Sequence, residues 1–269
     1  MNPGQEEILK KQFVELTFNN DWKRKLDDRS FADDELIKYC LDKAWPDAII
    51  YVRKKRSPND AIILANSDNI KQRLLTAILS GARNDDFDTW HNDMCKNTDF
   101  GMRYGVWQKF INMSFKYIYC INDTLTTPID PEILKQCHIP LDDNTLLWCR
   151  NKRFTEITSW NSISKDEYII IRDRVKEFVD NNQDLDSALQ IDFWVWRIKK
   201  ICDVLRNIKN LRDDLQGLDD LHSWFDDCGF DINNRQDVSS VLEQIDVLKE
   251  YFCASFLSSS IQTQKEERN

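Results

Sequence analysis

The chain has 269 residues, 41% of them hydrophobic and 31% charged, which is long enough for a substantial core and ordinary for a folded protein. Six Gly and six Pro supply little of the turn chemistry that many-stranded β folds need, so helix is the default expectation. A net charge of −9 speaks against nucleic-acid binding by bulk electrostatics, although it leaves room for a local basic surface.

In chain order, residues 4–20 read as a first helix. DDELIKYCLDKAWPDAIIYVRKK suggests one or two more, interrupted at Pro46. SPNDAIILANSDNIKQRLLTAILSGA starts at a cap-like Ser57-Pro58 and stops at Gly81. RNDDFDTWHNDMCKNTDFG mixes loop with a short helix, and GVWQKFINMSFKYIYC at 105–120 is an apolar helix. Pro128 and Pro131 restrict the next stretch to turns and a short helix. HIPLDDNTLLWCRNKRF then has an extended entry before Pro140 and a helix capped by Asp142 or Asp143. SKDEYIIIRDRVKEFVDNN carries an apolar stripe at Tyr168, Ile171, Val175 and Phe178, with Ser164 as its N-cap. LDSALQIDFWVWRIKKICDVLRNI is apolar and aromatic. A further helix is expected after Asp237, ahead of a frayed tail at 259–269.

Charge is unevenly spread. Residues 201–269 hold 7 Lys/Arg against 14 Asp/Glu, a balance of −7 within the total of −9. Two basic clusters lie upstream, Arg53, Lys54, Lys55 and Arg56, then Arg150, Lys152 and Arg153, either of which offers a local phosphate-binding surface. No run of 18 apolar residues occurs, and the N-terminal stretch lacks a signal-peptide core, so an intracellular protein, cytoplasmic or nucleoid-associated and without membrane contact, is expected. Eight scattered Cys with no CxxC pair fit a reducing compartment.

Phosphate-cradling, dinucleotide, metalloprotease and hydrolase-elbow motifs are all missing, and three separated His do not suggest a metal centre. Lysine is then the obvious alternative nucleophile. Lys109 and Lys116 are seven residues apart on one apolar helix, so both project from the same side. The ordinary explanation is that both snorkel to solvent.

GVWQK with Lys109, followed by IPLD with Asp142, resembles the helix-hairpin-helix DNA glycosylases that also cleave the abasic strand. Their pattern places a Lys just after a GVG-type hairpin and an Asp in a PVD segment at a helix start. Trp107 stands here where the usual hairpin has its second Gly. The 33-residue separation is closer to the archaeal 8-oxoguanine glycosylase branch. That branch also carries an Asp and a Trp four residues apart on a late helix, matched here by Asp192 and Trp196. The absence of a CysX6CysX2CysX5Cys segment sets the chain apart from the iron–sulfur members.

The resemblance implies an all-α, two-lobed fold with a central cleft and a helix-hairpin-helix-like element. Residues 1–60 would contribute to a second lobe, 61–200 would form the hairpin-bearing core, and 201–269 an acidic helical part. It implies Lys109 as the reactive amine and Asp142 as the acid. Asp192 and Trp196 would contact the extruded base, with Trp107 and Asn112 near substrate, duplex DNA as partner, and no cofactor or metal. A second expectation of a different class is a non-catalytic helical interaction protein. Its acidic C-terminal part would dock a protein partner or mimic nucleic-acid charge. The first places Lys109 at the floor of a cleft within reach of Asp142; the second leaves it on an open surface.

Overall fold

The computed structural model describes residues 3–28, 31–54, 57–81, 86–96, 100–183, 185–196 and 199. Every regular element among them is helical, and the chain is all-α. It divides into two units, residues 1–197 and 198–269. Apart from residue 199 the second unit, with the expected helix after Asp237 and the tail, lies outside the described residues.

The elements are α1 (Pro3–Thr17), α2 (Asn20–Asp28), α3 (Asp33–Ala48), α4 (Pro58–Ala65), α5 (Ser67–Gly81), α6 (Phe87–Cys95), α7 (Tyr104–Ile121), α8 (Pro131–Lys135), α9 (Asp143–Asn151) and α10 (Lys165–Asp180). They are followed by a helix over 188–196, here α11. Short 3-10 turns cover Val52–Lys54, Asn122–Thr124 and Trp160–Ser162.

Local chemistry accounts for several starts. Ser57 caps α4, and Asp60 reaches back to the Ser57 N–H to complete a capping box. Ser164 and Glu167 do the same for α10, and Asp142, not Asp143, caps α9. Two boundaries depart from the expected ones. Pro46 does not interrupt its helix: it sits in the last turn of α3, which runs on to Ala48, so its missing N–H leaves the Asp42 carbonyl without an intrahelical donor. The segment from Ser57 to Gly81 is two helices, parted at Asn66.

α7 is the axis of the first unit. Residues 105–118 are buried without a break, and α1, α3, α6, α10 and the Trp160–Ser162 turn all pack on it. The expected boundary at residue 60 does not divide this core. Leu36, Leu41 and Trp45 of α3 belong to the same hydrophobic cluster as Phe110, Ile111 and Phe115 of α7.

The chain reverses between α6 and α7 at Phe100 and Gly101, with φ of 77° and 68°. Gly105 is therefore no turn residue; it is the second residue of α7. Its missing side chain serves packing, because a Cβ there would lie 2.1 Å from the Trp160 carbonyl oxygen. Only glycine lets α7 and the 160–162 backbone approach this closely.

Candidate active site: two buried lysines on one helix

Gly105, Gln108, Lys109, Asn112 and Lys116 form the polar stripe of α7, and all five are buried. Neither lysine snorkels: Lys109 is 7% exposed and Lys116 2%. The expectation of two solvated amines fails because α7 is covered on every side, including the side that carries them.

Trp160 lies against Lys109, with Nζ 4.2 Å from the ring centroid. Gly105, one turn earlier on α7, is what allows the Trp160 segment to come so near. Burial pushes the Lys109 amine below the ordinary lysine value of 10.5. Asp142 leads the carboxylates that oppose this, followed by Asp47, Asp143 and Asp192.

Asp142 has two roles. Its Oδ1 accepts from the Asn144 and Thr145 N–H groups at 2.8 and 2.9 Å, while the Asp142 N–H donates to Thr145 Oγ1 at 2.8 Å. The cap uses Oδ1 alone, so Oδ2 is not spent on the helix end.

The extended residues 139–141 lead into Asp142 and are held by α7 itself. Gln108 Nε2 donates to the Leu141 carbonyl at 3.2 Å and to the Gly105 carbonyl at 2.9 Å. Its Oε1 accepts from the Leu141 N–H at 3.3 Å and from Asn112 Nδ2 at 3.2 Å. Asn112 Nδ2 also reaches the Ile139 carbonyl at 3.2 Å and the Tyr168 hydroxyl at 2.9 Å.

Tyr168 Oη is 2.9 Å from His138 Nδ1, and His138 Nε2 is 2.6 Å from Asp88 Oδ1. Asp88, its pKa held at about 2, can only accept, so His138 Nε2 donates to it and His138 Nδ1 accepts the Tyr168 hydroxyl hydrogen. This assigns His138 as the neutral Nε2–H tautomer donating to Asp88. Burial lowers the His138 pKa from 6.5, in agreement with that assignment, and the hydrogen bond from His138 leads the causes holding Asp88 at about 2.

The second lysine is packed among aromatic side chains in the core. Lys116 Nζ meets Asp192 Oδ2 at 2.6 Å, and the rings of Phe13, Phe193 and Trp196 lie 4.3, 5.0 and 5.8 Å from Nζ. Burial is the foremost cause raising the Asp192 pKa; Lys116 opposes it, Asp142 adds to it, and Lys109 also acts on it. Lys109, Asp142, Lys116 and Asp192 thus share one electrostatic field.

The other expected site residues fall in different places. Trp196 is half-buried near Lys116, edge-on to Phe13 at 5.2 Å. Trp107 is fully buried and packs in the core beside Phe110, away from a surface that meets substrate. Asn112 is fully buried, and its amide nitrogen is committed to holding residues 139–141, which replaces the expected substrate contact. Arg53 and Lys54 are exposed in the turn that follows Tyr51. The Tyr51 hydroxyl donates to Asp143 Oδ2 at 3.1 Å, and its ring lies 5.4 Å from Trp160, which puts this cluster at the Lys109 end. Lys55 and Arg56 lie outside the described residues. Arg150, Lys152 and Arg153 lie at the far end of α9, about 13 Å along the helix from Asp142.

Sequence reasoning missed Trp160, Phe13 and Gln108. Gln108 alone carried a local signal, an amide pair with Asn112 at i, i+4 inside an apolar helix. Among the described residues no group of three or more His, Cys, Asp or Glu side chains is gathered as a metal site would require. Comparison of the chain with protein-family models, with curated proteins and with solved structures gives no match.

Proposed function

We propose that the protein is a DNA glycosylase with abasic-site lyase activity, acting on an oxidised or otherwise modified base. The observation that carries this reading is the setting of Lys109: an amine buried against Trp160, with its pKa lowered, in the field of Asp142, the N-cap of α9. A lowered lysine pKa enlarges the neutral fraction at a given pH, and only the neutral amine has the lone pair that attacks C1′.

The extruded base would stack on the half-buried Trp196, next to the Lys116–Asp192 pair. As the glycosidic bond breaks, the base leaves with the bonding electrons. Asp142 stabilises the positive charge that develops on the sugar. Lys109 bonds to C1′, and the C1′–O4′ bond opens to give a Schiff base with its proton load returned to O4′ and solvent. Loss of the C2′ proton then expels the 3′ phosphate by β-elimination. Arg53 and Lys54, at the Lys109 end, would meet the strand backbone.

The interaction-protein reading requires an open Lys109, and its burial weighs against that. Incubation with duplexes carrying an abasic site, 8-oxoguanine or a hypermodified cytosine, followed by strand analysis, tests the proposal. Strand cleavage at one of these lesions supports it. No cleavage, together with no duplex binding at low salt, refutes it.

A further inference from the structure

We infer that Gln108 and Asn112 are positioning residues: the helix that carries Lys109 also sets the place of Asp142, by gripping the extended residues 139–141 through their two side-chain amides. The consequence for catalysis rests on the glycosylase reading; the positioning itself does not.

Residues 139–141 have no strand neighbour, so their backbone groups need other partners inside a buried environment. Gln108 supplies them as a neighbouring strand would, donating to the Leu141 carbonyl and accepting from the Leu141 N–H. Asn112, one turn on, takes the Ile139 carbonyl. Asn112 Nδ2, which has two hydrogens to share, also lies 3.2 Å from Gln108 Oε1, while its own Oδ1 has no hydrogen-bond partner among the described residues. Asn112 is oriented in turn by Tyr168, which His138 and Asp88 orient from α6 and the start of this same segment.

The two gripping residues stand one before and three after Lys109 in the sequence. Any movement of α7 therefore carries Lys109 and the Asp142 segment together. Without Gln108, the Lys109–Asp142 relation would depend on α9 and its cap, which fix the carboxylate to its own helix and not to the lysine. An apolar side chain at 108 would leave both Leu141 backbone groups buried without these partners.

The test reads the Lys109 amine directly. Wild type, Gln108→Leu, Asp142→Asn and the double variant are acetylated with acetic anhydride across a pH series, and Lys109 is followed by mass spectrometry. Because Asp142 favours the charged amine, Asp142→Asn is expected to lower the Lys109 midpoint. Gln108→Leu is expected to lower it comparably, with no further drop in the double variant; Asn112→Leu shifts it the same way. Gln108→Met, close in volume, provides the reading if Gln108→Leu does not fold. A midpoint that stays at the wild-type value in the folded Gln108 variant, or that falls additively in the double variant, overturns the inference. Midpoint shifts as expected but no lyase activity in the wild type would remove the glycosylase reading and leave the positioning in place.

Discussion

Lys116 and Asp192 form an ion pair at 2.6 Å with both side chains sealed from water, and three aromatic rings surround the ammonium. Taking two charges out of water is expensive, and their attraction only partly offsets it. Removing one partner strands the other. Lys116→Met and Asp192→Leu are therefore each expected to cost about 3–5 kcal/mol in urea unfolding, and the double variant to recover most of that loss. Single variants that unfold like wild type would show the pair to be solvated.

Gly105→Ala tests the close approach that brings Trp160 onto Lys109. The new Cβ would meet the Trp160 carbonyl at 2.1 Å and Ile163 Cγ2 at 3.0 Å. The first of these is backbone, so the 160–162 turn must move. Destabilisation by about 1–3 kcal/mol is expected in thermal or urea unfolding, as for overpacked cores. It should come with higher acetylation of Lys109 as the ring withdraws. A neutral effect on both readouts would contradict the packing described.

Burial holds His138 and His91 below the ordinary histidine value of 6.5. The unfolded chain takes up protons as pH falls through about 6.5, while the folded protein does so only at lower pH. The unfolded state then binds more protons, so stability declines below about pH 6.5. Asp88 acts further down: its folded pKa of about 2 gives a contribution that is full above about 4 and lost as pH falls toward 2. The melting temperature is expected to drop from pH 7 to pH 5, and to drop less steeply in His138→Gln. Parallel profiles for the two proteins would exclude His138 as a source of the acid sensitivity.

The two basic clusters are not equivalent in space, since the Tyr51 contacts place Arg53 and Lys54 at the Lys109 end. Arg53→Ala and Lys54→Ala are each expected to weaken duplex binding across sequences and to reduce the salt slope by about 1. Lys152→Ala and Arg153→Ala, at the far end of α9, serve as comparison and should change it less. Equal losses from both clusters would place the DNA elsewhere.

What the sequence made legible was local. The caps at Ser57, Asp142 and Ser164 follow from polar side chains within three residues of the N–H groups they serve. The shared face of Lys109 and Lys116 follows from helical spacing alone. Their burial does not, because it depends on Trp160 from 51 residues away and Phe13 from 103 residues away in the sequence. Pro46 misled because the helix it was expected to interrupt runs through it and ends two residues later. Gly105 looked like a turn, yet its reason is a distant carbonyl. Asn112 looked available to substrate, yet the extended residues 139–141 take up its amide nitrogen.

Borohydride trapping on a duplex with an abasic site tests the central claim most directly. Wild type is run beside Lys109→Gln, Lys116→Gln and Asp142→Asn, with folding of each checked by circular dichroism. A covalent protein–DNA adduct in the wild type, lost in Lys109→Gln and retained in Lys116→Gln, is the predicted result. An adduct that survives Lys109→Gln, or no adduct from any of the proteins, would contradict the assignment of Lys109 as the nucleophile.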